Sequence, residues 1–313
     1  MKRCFVVGKP IYHSKSPYIF SELFEKSGID GIYSRLNLNE FSDIFHVASQ
    51  LSVDFLNVTA PFKEQAYWIC STKGCDVSQE AILSEAVNTI LFDNGKISFC
   101  TNTDVSALLS IFDSVLNSFT KDKLNIAVLG AGGAARAVLS ALRIITERKS
   151  FELTCAIFNR TYRKAQDLSE KFATSLLRLQ AENLSMFIHK YKSFDVVVSC
   201  LTDYPDELKS LDFEKTQVFI DGNYKSPMDV KVANYLPGEV WLVKQALDSF
   251  MLLINKNAQR YMLNSSLYYS ILEKITNKLW QTPKRKIVYL IGMPGSGKST
   301  IGRLLAHVLG LNF

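Results

Sequence analysis

The segment from 124 to 138, LNIAVLGAGGAARAV, constrains the fold more than any other part of this sequence. An apolar run leads directly into closely spaced glycines, and an alanine-rich helical pattern follows. Gly130, Gly132 and Ala135 match a G-x-G-x-x-G/A pattern, in which glycines permit a tight turn and a close approach of the backbone. The helix that begins there presents free N–H groups and a partial positive charge. The segment predicts a dinucleotide-binding strand–turn–helix unit, and the alternative is a purely structural glycine turn.

Apolar runs of strand length alternate with helical patterns along most of the chain. The strand-like runs are RCFVVG, GIYSRLNL and VDFLNVT before the glycine segment, and FELTCAIF, DVVVSCL and TQVFIDG after it. Helical patterns occupy SPYIFSELFEKSGI and much of 240–280. This alternation is typical of layered α/β proteins with parallel strands.

The residues after FELTCAIF indicate which dinucleotide binds. An acid at the end of this strand binds the ribose 2′-hydroxyl of NAD, whereas a basic residue accommodates the 2′-phosphate of NADP. The sequence reads FNRTYRK, with Asn159, Arg160, Thr161 and Arg163 and no acid. A guanidinium suits a phosphate because it donates paired, charge-assisted hydrogen bonds. We predict NADP, and the alternative is an ordinary solvated basic loop.

Small polar residues in HSKSP form a second candidate site. Ser16 precedes Pro17, which is typical of a helix that starts with Ser16 as the N-cap residue. Alternatively, the hydroxyls of Ser14 and Ser16 bind a substrate carboxylate at the start of that helix. This segment alone does not separate the two interpretations.

Further polar residues stand at the ends of apolar runs. NVTAPFKE contains Asn57, Thr59 and Lys63, AVNTI contains Asn88, and TNTD ends with Asp104. Buried amides and carboxylates require hydrogen-bond partners. We therefore predict that these residues share one polar pocket, although a single lysine is more commonly a solvated surface residue.

Taken together, HSKSP, NVTAPFKE, AVNTI, NTD, GAGGAARA and NRT resemble, in order and spacing, the shikimate dehydrogenase family. The resemblance covers about residues 3–265. It implies NADPH-dependent reduction of 3-dehydroshikimate, a step toward chorismate and the aromatic amino acids. It also implies a two-domain α/β fold: a substrate domain (1–104), a Rossmann NADP-binding domain (105–239) and helices (240–280) that return to the substrate domain.

The resemblance implies a role for each matching residue. Lys63 and Asp104 match the catalytic pair. Substrate contacts match Ser14, Ser16, Thr59, Asn88, Asp104, Tyr224 and Gln245. NADP contacts match Gly130, Ala131, Gly132, Gly133, Ala134, Asn159, Arg160, Thr161 and Arg163.

Three segments depart from the family pattern. VSAL follows NTD where the family has glycines, and SCLTDYP replaces an N-A-T-S-type segment. Val240 and Trp241 replace a glycine and a methionine at the position that faces the nicotinamide in the family. Two alternatives stay open: a quinate/shikimate dehydrogenase of broader specificity, and a cofactor-binding sensor that has lost catalysis.

The tail contains GMPGSGKST at 292–300, which matches a phosphate-binding P-loop. In such a loop Lys298 would reach the phosphates and Ser299 would bind Mg²⁺. The segment resembles the start of shikimate kinase, but only thirteen residues follow the motif. We predict a linker and truncated P-loop fragment over 281–313, from a shortened gene product or a split bifunctional enzyme, without ATP turnover.

Bulk properties narrow the remaining function classes. Five units of the net charge of +6 come from residues 281–313, so we expect no nucleic-acid binding. The chain lacks a long apolar stretch and a signal-peptide pattern, and we expect a cytoplasmic enzyme with a small-molecule substrate and no membrane contact. The six cysteines and four histidines show no zinc-type spacing, so we predict free thiols and no metal.

Overall fold

A computed structural model describes residues 1–121, 123–214, 217–224 and 232–254. The chain divides into two units, Met1–Glu273 and Lys274–Phe313, and every described residue belongs to the first. The helical pattern beyond 254, the linker and the P-loop motif lie outside the described residues.

The described strands form two six-stranded sheets. In chain order they are β1 (Lys2–Gly8), β2 (Gly31–Asn37), β3 (Phe55–Val58), β4 (Asp76–Val77), β5 (Thr89–Asp93), β6 (Lys96–Thr101), β7 (Leu124–Leu129), β8 (Leu153–Asn159), β9 (Leu177–Asn183), β10 (Val196–Ser199), β11 (Val218–Asp221) and β12 (Asn234–Leu236).

The described α-helices alternate with these strands. They are α1 (Ser16–Ser27), α2 (Ile44–Leu51), α3 (Lys63–Thr72), α4 (Gln79–Ser84), α5 (Thr103–Leu116), α6 (Gly133–Lys149), α7 (Tyr162–Phe172), α8 (Phe187–Lys190), α9 (Asp206–Lys209) and α10 (Gly238–Ile254). Short 3₁₀ turns occupy Phe41–Asp43, Leu184–Met186 and Tyr191–Ser193.

The first sheet has the strand order β2-β1-β3-β5-β6-β4. Strands β2, β1 and β3 are parallel, whereas β5 runs antiparallel to β3 and β6 antiparallel to β5. Every residue of β3 is buried, which explains its nearly continuous apolar sequence. The antiparallel β5–β6 hairpin brings the chain back so that the residues after β6 lie close to those after β3.

The second sheet is entirely parallel, with the order β12-β11-β10-β7-β8-β9. This is the doubly wound order in which the chain reverses direction between β7 and β10, and ligands bind at that reversal outside the carboxyl ends of the strands. The glycine turn follows β7 at this position. The predicted α/β class with a Rossmann-type second sheet is confirmed.

Helix α10, the last described helix, packs against α1 near the start of the chain. The Phe250 ring packs edge-on against Phe20 and Phe24 of α1. The Lys244 ammonium donates to the Ser110 hydroxyl on α5 at 2.9 Å. The return of a C-terminal helix toward the first sheet follows from these contacts.

The start of α1 differs from the prediction. The helix begins at Ser16 itself, and Lys15 stands at the cap position without a side-chain hydrogen bond to the helix. The Ser14 hydroxyl instead accepts the Ser16 N–H at 3.3 Å. Ser16 is therefore the first helical residue and not the N-cap, and its own N–H, one of the free donors at a helix start, is satisfied by the side chain two residues earlier.

All six cysteines are free thiols. Within the described residues, no helix combines the length and the apolarity that a membrane span requires.

Candidate active site

A cavity of about 180 Å³ opens where the ends of β1 and β3 approach α6 and α10. Its wall includes Val6 from β1, Val58 from β3, Ala134 from α6 and Leu242 from α10. The residues that the sequence predicted for catalysis or substrate binding all line it: Ser14, Ser16, Thr59, Lys63, Asn88, Asp104, Tyr224 and Gln245.

Lys63 and Asp104 form the closest charged pair in this cavity. Lys63 Nζ lies 2.6 Å from Asp104 Oδ2, and the side chains are 26% and 15% exposed. Lys63 is the first residue of α3, and Asp104 is the second residue of α5. The β5–β6 hairpin places the amino ends of these two helices side by side, although their residues are 41 positions apart.

The position of Lys63 is electrostatically unusual. The amino end of a helix carries a partial positive charge, which disfavours a cation there. Asp104 offsets this cost and occupies the favourable site for an acid at the amino end of α5. Because helix propensity does not explain a lysine at this position, a role in binding or chemistry is the better explanation.

Asn88 anchors a buried polar network beneath this pair. Its side-chain oxygen accepts the Thr103 N–H at 2.8 Å, and its backbone oxygen accepts the Val58 N–H at 2.8 Å. The Val87 N–H donates to the Lys63 carbonyl at 2.9 Å. These bonds connect the end of β3, the start of α3 and the start of α5, and they hold the two helix ends in register.

A second part of the network extends to α10. Asn57 donates from its side-chain amide to Thr89 at 3.1 Å and to Ser249 at 3.2 Å. The Thr103 hydroxyl lies 2.9 Å from that of Ser249 and donates to the side-chain oxygen Oε1 of Gln245 at 3.4 Å. Since buried polar groups are costly without partners, these contacts orient α10 against the first sheet.

Ser14 and Ser16 lie together at one side of the cavity. Their hydroxyls are 3.3 Å apart, and both residues are buried. Arg35 Nε donates to the Ser14 carbonyl at 3.0 Å and fixes the turn before α1. The Tyr33 hydroxyl donates to the Asn57 side-chain oxygen at 2.7 Å, which connects this side to the central network.

The opposite wall is aromatic. Burial, followed by the nearby Asp104 carboxylate, raises the pKa of Tyr224, so this hydroxyl stays protonated and can donate a hydrogen bond. Trp241 is 6% exposed and lines the cavity, and its indole Nε1 has no hydrogen-bond partner among the described residues. Its ring packs against Gly222, where an added Cβ would lie 3.1 Å from the ring. Trp241 therefore fills space beside the glycine after β11.

The glycine turn after β7 combines a glycine of positive φ with open space at the start of α6. Gly130 has a φ of +103°, and an added Cβ would lie 3.3 Å from the Cys200 carbonyl oxygen. Gly132 and Gly133 have open space where a Cβ would stand, and Gly132 gives α6 no side-chain cap. The N–H groups at the start of α6 are thus accessible to an anion. Of the turn, Ala134 lines the cavity.

The end of β8 stands next to this turn, because β7 and β8 pair in parallel with Leu129 opposite Phe158. Asn159 donates to the Thr161 carbonyl at 2.9 Å and shapes the loop. Arg160 is exposed, and Arg163 forms an ion pair with Asp167 at 2.9 Å. This loop presents two exposed guanidinium groups beside the glycine turn. The chain thus contains the elements of an NADP site.

Sequence reasoning missed several residues of the site. Asn57 and the TNTD motif that contains Thr103 were predicted to share the polar pocket; Asn57 lines the cavity, and Thr103 belongs to its hydrogen-bond network. Ser249 lies inside an apolar helix and contacts Asn57, 192 positions earlier, without any local signal. His13 and Leu242 also line the cavity.

Comparison with known proteins gives two family matches in chain order. Residues 6–90 match the shikimate dehydrogenase substrate binding domain, and residues 112–217 match the shikimate / quinate 5-dehydrogenase family. The NADP(+) shikimate dehydrogenase of Caldicellulosiruptor saccharolyticus is 32% identical over 203 residues, which cover 64% of this chain and 67% of that relative.

Solved structures agree with this assignment. Shikimate dehydrogenase from Aquifex aeolicus superposes with a TM-score of 0.69 at 29% identity, over 88% of this chain and 97% of that one. Shikimate 5-dehydrogenase from Thermus thermophilus, solved in complex with NADP(H) and shikimate, gives a TM-score of 0.66 at 25% identity, over 88% and 99%. The chain therefore belongs to the shikimate dehydrogenase family.

Proposed function

We propose that this protein catalyses the reversible, NADPH-dependent reduction of 3-dehydroshikimate to shikimate. The observation that carries the proposal is the meeting of Lys63 and Asp104 in a cavity that also reaches Ala134 of the glycine turn. Family membership supplies the substrate class and the cofactor, since the relatives are named as NADP(+) shikimate dehydrogenases.

Bound NADPH supplies the hydride for the ketone carbon. Negative charge then develops on the ketone oxygen, and the Lys63 ammonium stabilises it and donates a proton. The Asp104 carboxylate holds the ammonium in place and accepts a hydrogen bond from a substrate hydroxyl. Because Lys63 is 26% exposed, solvent can return the proton to its amine after each turnover.

The remaining lining residues bind and orient the substrate in this proposal. The Ser14 and Ser16 hydroxyls donate to the carboxylate, and Thr59, Asn88 and Gln245 bind ring hydroxyls. The protonated Tyr224 hydroxyl donates near the junction with the second sheet.

The NADP contacts in this proposal divide into two groups. The N–H groups of the glycine turn hold the pyrophosphate, with Gly130, Ala131, Gly132, Gly133 and Ala134 forming that turn. The adenosine 2′-phosphate lies against the loop of Asn159, Arg160, Thr161 and Arg163.

Quinate is a second candidate substrate, because one matched family model covers both shikimate and quinate dehydrogenases. Quinate carries an additional hydroxyl beside the carboxylate, so the space around Ser14 and Ser16 decides whether it fits. The Ser14–Ser16 hydrogen bond of 3.3 Å shows how closely these hydroxyls are spaced.

The test follows the near-ultraviolet absorbance of NADPH when the purified full chain receives NADP and shikimate. We expect turnover with this pair, and slower turnover when NAD replaces NADP. Equal turnover with quinate would favour the broader specificity. Binding of NADP without turnover of either acid would contradict the proposal and favour a sensor without catalysis.

We also propose the domain division of 1–104 for substrate binding, 105–239 for NADP binding and 240–280 for the returning helices. The kinase-like interpretation of 281–313 depends on the sequence motif. A lack of nucleic-acid partners belongs to the same proposal, because the charge excess is concentrated after residue 280. A cytoplasmic location and a lack of membrane partners stay predictions from the sequence.

A further inference from the structure

Three of the six cysteines meet in the first sheet, outside the cavity described above. Cys70 lies on α3, Cys75 immediately precedes β4, and Cys100 lies on β6. Their sulfur atoms all lie within 4.8 Å of one another. Cys100 Sγ is 2.7 Å from Cys70 Sγ and 3.5 Å from Cys75 Sγ. Within the part of the chain that the structure describes, this is the single group of three potential metal-ligating side chains.

The three thiols differ in their access to solvent. Cys70 and Cys100 are fully buried in the apolar core of the first sheet, whereas Cys75 is half-buried at its edge. The Cys75 thiol lies 3.1 Å from the Cys70 carbonyl oxygen, so the turn before β4 folds back over the end of α3. The cluster is thus closed on the core side and open at Cys75.

The spacing of the sulfur atoms suits one small, thiophilic ion. Zinc binds thiolate sulfur at about 2.3 Å in a tetrahedral arrangement, which separates neighbouring sulfurs by roughly 3.8 Å. Two of the observed separations, 2.7 and 3.5 Å, are shorter than this value, and the third is at most 4.8 Å. Small side-chain rotations therefore bring all three sulfurs to such a distance.

We propose that Cys70, Cys75 and Cys100 bind one thiophilic d¹⁰ metal ion, Zn²⁺ or Cu⁺. Soft thiolates select these ions over harder cations such as Mg²⁺. Three thiolates complete a trigonal Cu⁺ site, and Zn²⁺ takes a fourth ligand from solvent on the open side at Cys75. The cysteines show no zinc-type spacing in the sequence because the three ligands come from separate elements: Cys70 from a helix, Cys75 from a turn and Cys100 from a distant strand.

A bound ion would connect α3, which begins with Lys63, to β6, the strand that precedes Asp104 on α5. Cys70 is on the helix that begins with Lys63, and Cys100 stands four residues before Asp104. The metal site itself depends only on the three thiols, so it does not require the proposed reaction.

The experiment uses the reduced, metal-free full chain. It is titrated with Zn²⁺ against a colorimetric zinc chelator and, in a separate anaerobic arm, with Cu⁺ against a copper(I) chelator. We expect one equivalent of ion to bind, with new ultraviolet absorption from thiolate-to-metal charge transfer. The arm with tighter binding identifies the ion.

Cys75→Ser is the decisive variant, because this residue is half-buried and its replacement leaves the core intact. We expect it to weaken metal binding by at least about 100-fold, because the loss of a group that only supports a metal ligand already costs about 10- to 100-fold. Cys155→Ser is the matched control, since Cys155 is equally a free thiol but lies buried in β8. It should leave binding unchanged.

Two results would overturn the proposal. One is that neither ion binds, or that an ion binds equally well to Cys75→Ser and to the wild type. The other is that two thiols of the cluster form a disulfide and the protein shows no affinity for either ion. In that oxidation, hydrogen peroxide takes two protons and two electrons from the two thiols and becomes two waters.

Discussion

Replacing Lys63 with methionine tests the central feature of the active site. Methionine keeps an unbranched side chain of similar length but removes the ammonium that lies 2.6 Å from Asp104. The same group is proposed to stabilise the developing oxyanion and to donate the proton. Loss of one preorganised donor lowers kcat by about 10² to 10³, and loss of a general acid by about 10² to 10⁴.

Because one ammonium supplies both effects, the two losses overlap and do not multiply. We expect kcat to fall about 10³-fold, which corresponds to about 4 kcal/mol of transition-state stabilisation. The hydroxyl and carboxylate contacts of the substrate remain, so KM should change by less than about five-fold. Steady-state kinetics with shikimate and NADP measure both constants, and circular dichroism confirms that the variant is folded.

The chain offers a matched control pair. Lys121 Nζ also lies 2.6 Å from an aspartate, Asp195, but this pair stands at the amino ends of β7 and β10. Lys121→Met should leave kcat within about two-fold, because this pair lies at the end of the second sheet opposite to the glycine turn. Asp104→Asn should lower kcat, and the double variant with Lys63→Met should be scarcely worse than Lys63→Met alone, since the residues act as a unit. A folded Lys63→Met enzyme with kcat within about three-fold of wild type would refute the reasoning.

Three further predictions concern the cofactor site and the stability of the fold. Arg160→Asp should raise KM for NADP by about 10- to 100-fold and improve the use of NAD, because charge-assisted hydrogen bonds contribute about 1.5 to 3 kcal/mol. Steady-state kinetics with NADP and with NAD measure both effects, and Arg178→Asp, at another exposed arginine, is the control. Gly130→Ala should destabilise the protein by about 1 to 3 kcal/mol, since φ is +103° there. At Gly132 an added Cβ meets open space, so Gly132→Ala should leave thermal unfolding unchanged but weaken NADP binding in a fluorescence titration. Equal melting temperatures for Gly130→Ala and Gly132→Ala would contradict this prediction. Burial raises the pKa of Asp248 to about 6. The stability contributed by the protonated Asp248 carboxyl is therefore full below its unfolded pKa and is lost as pH rises through about 6. In urea unfolding, the free energy of unfolding of Asp248→Asn relative to wild type should increase by about 1 to 3 kcal/mol between about pH 4 and pH 7. A difference independent of pH would show that the pKa of the carboxyl is not perturbed.

Features that depend on neighbouring residues were predictable from the sequence. The strand, glycine turn and helix over 124–138 follow from local spacing, because glycines, apolar runs and helical periodicity act within a few residues. The strands β4, β9 and β12 were not predicted, since each is held mainly by its pairing with a neighbour in the sheet. The start of α1 was predicted one residue late: the helix begins at Ser16, whose N–H donates to the Ser14 hydroxyl, and Lys15 stands at the cap position.

Motifs in the sequence predicted which residues belong to one site, but not how they contact each other. Lys63 and Asp104 are 41 positions apart, and Asn57 and Ser249 are 192 positions apart. Their contacts result from the order of strands in the first sheet and from the return of α10.

The α/β class, the glycine turn and the set of polar residues at strand ends could be read directly from the chain, because each is encoded by residues close together in it. The meeting of Lys63 with Asp104 and the convergence of three separated cysteines became visible only in the folded molecule. The physical reason is that strand pairing, which sets these distances, is a property of the whole sheet.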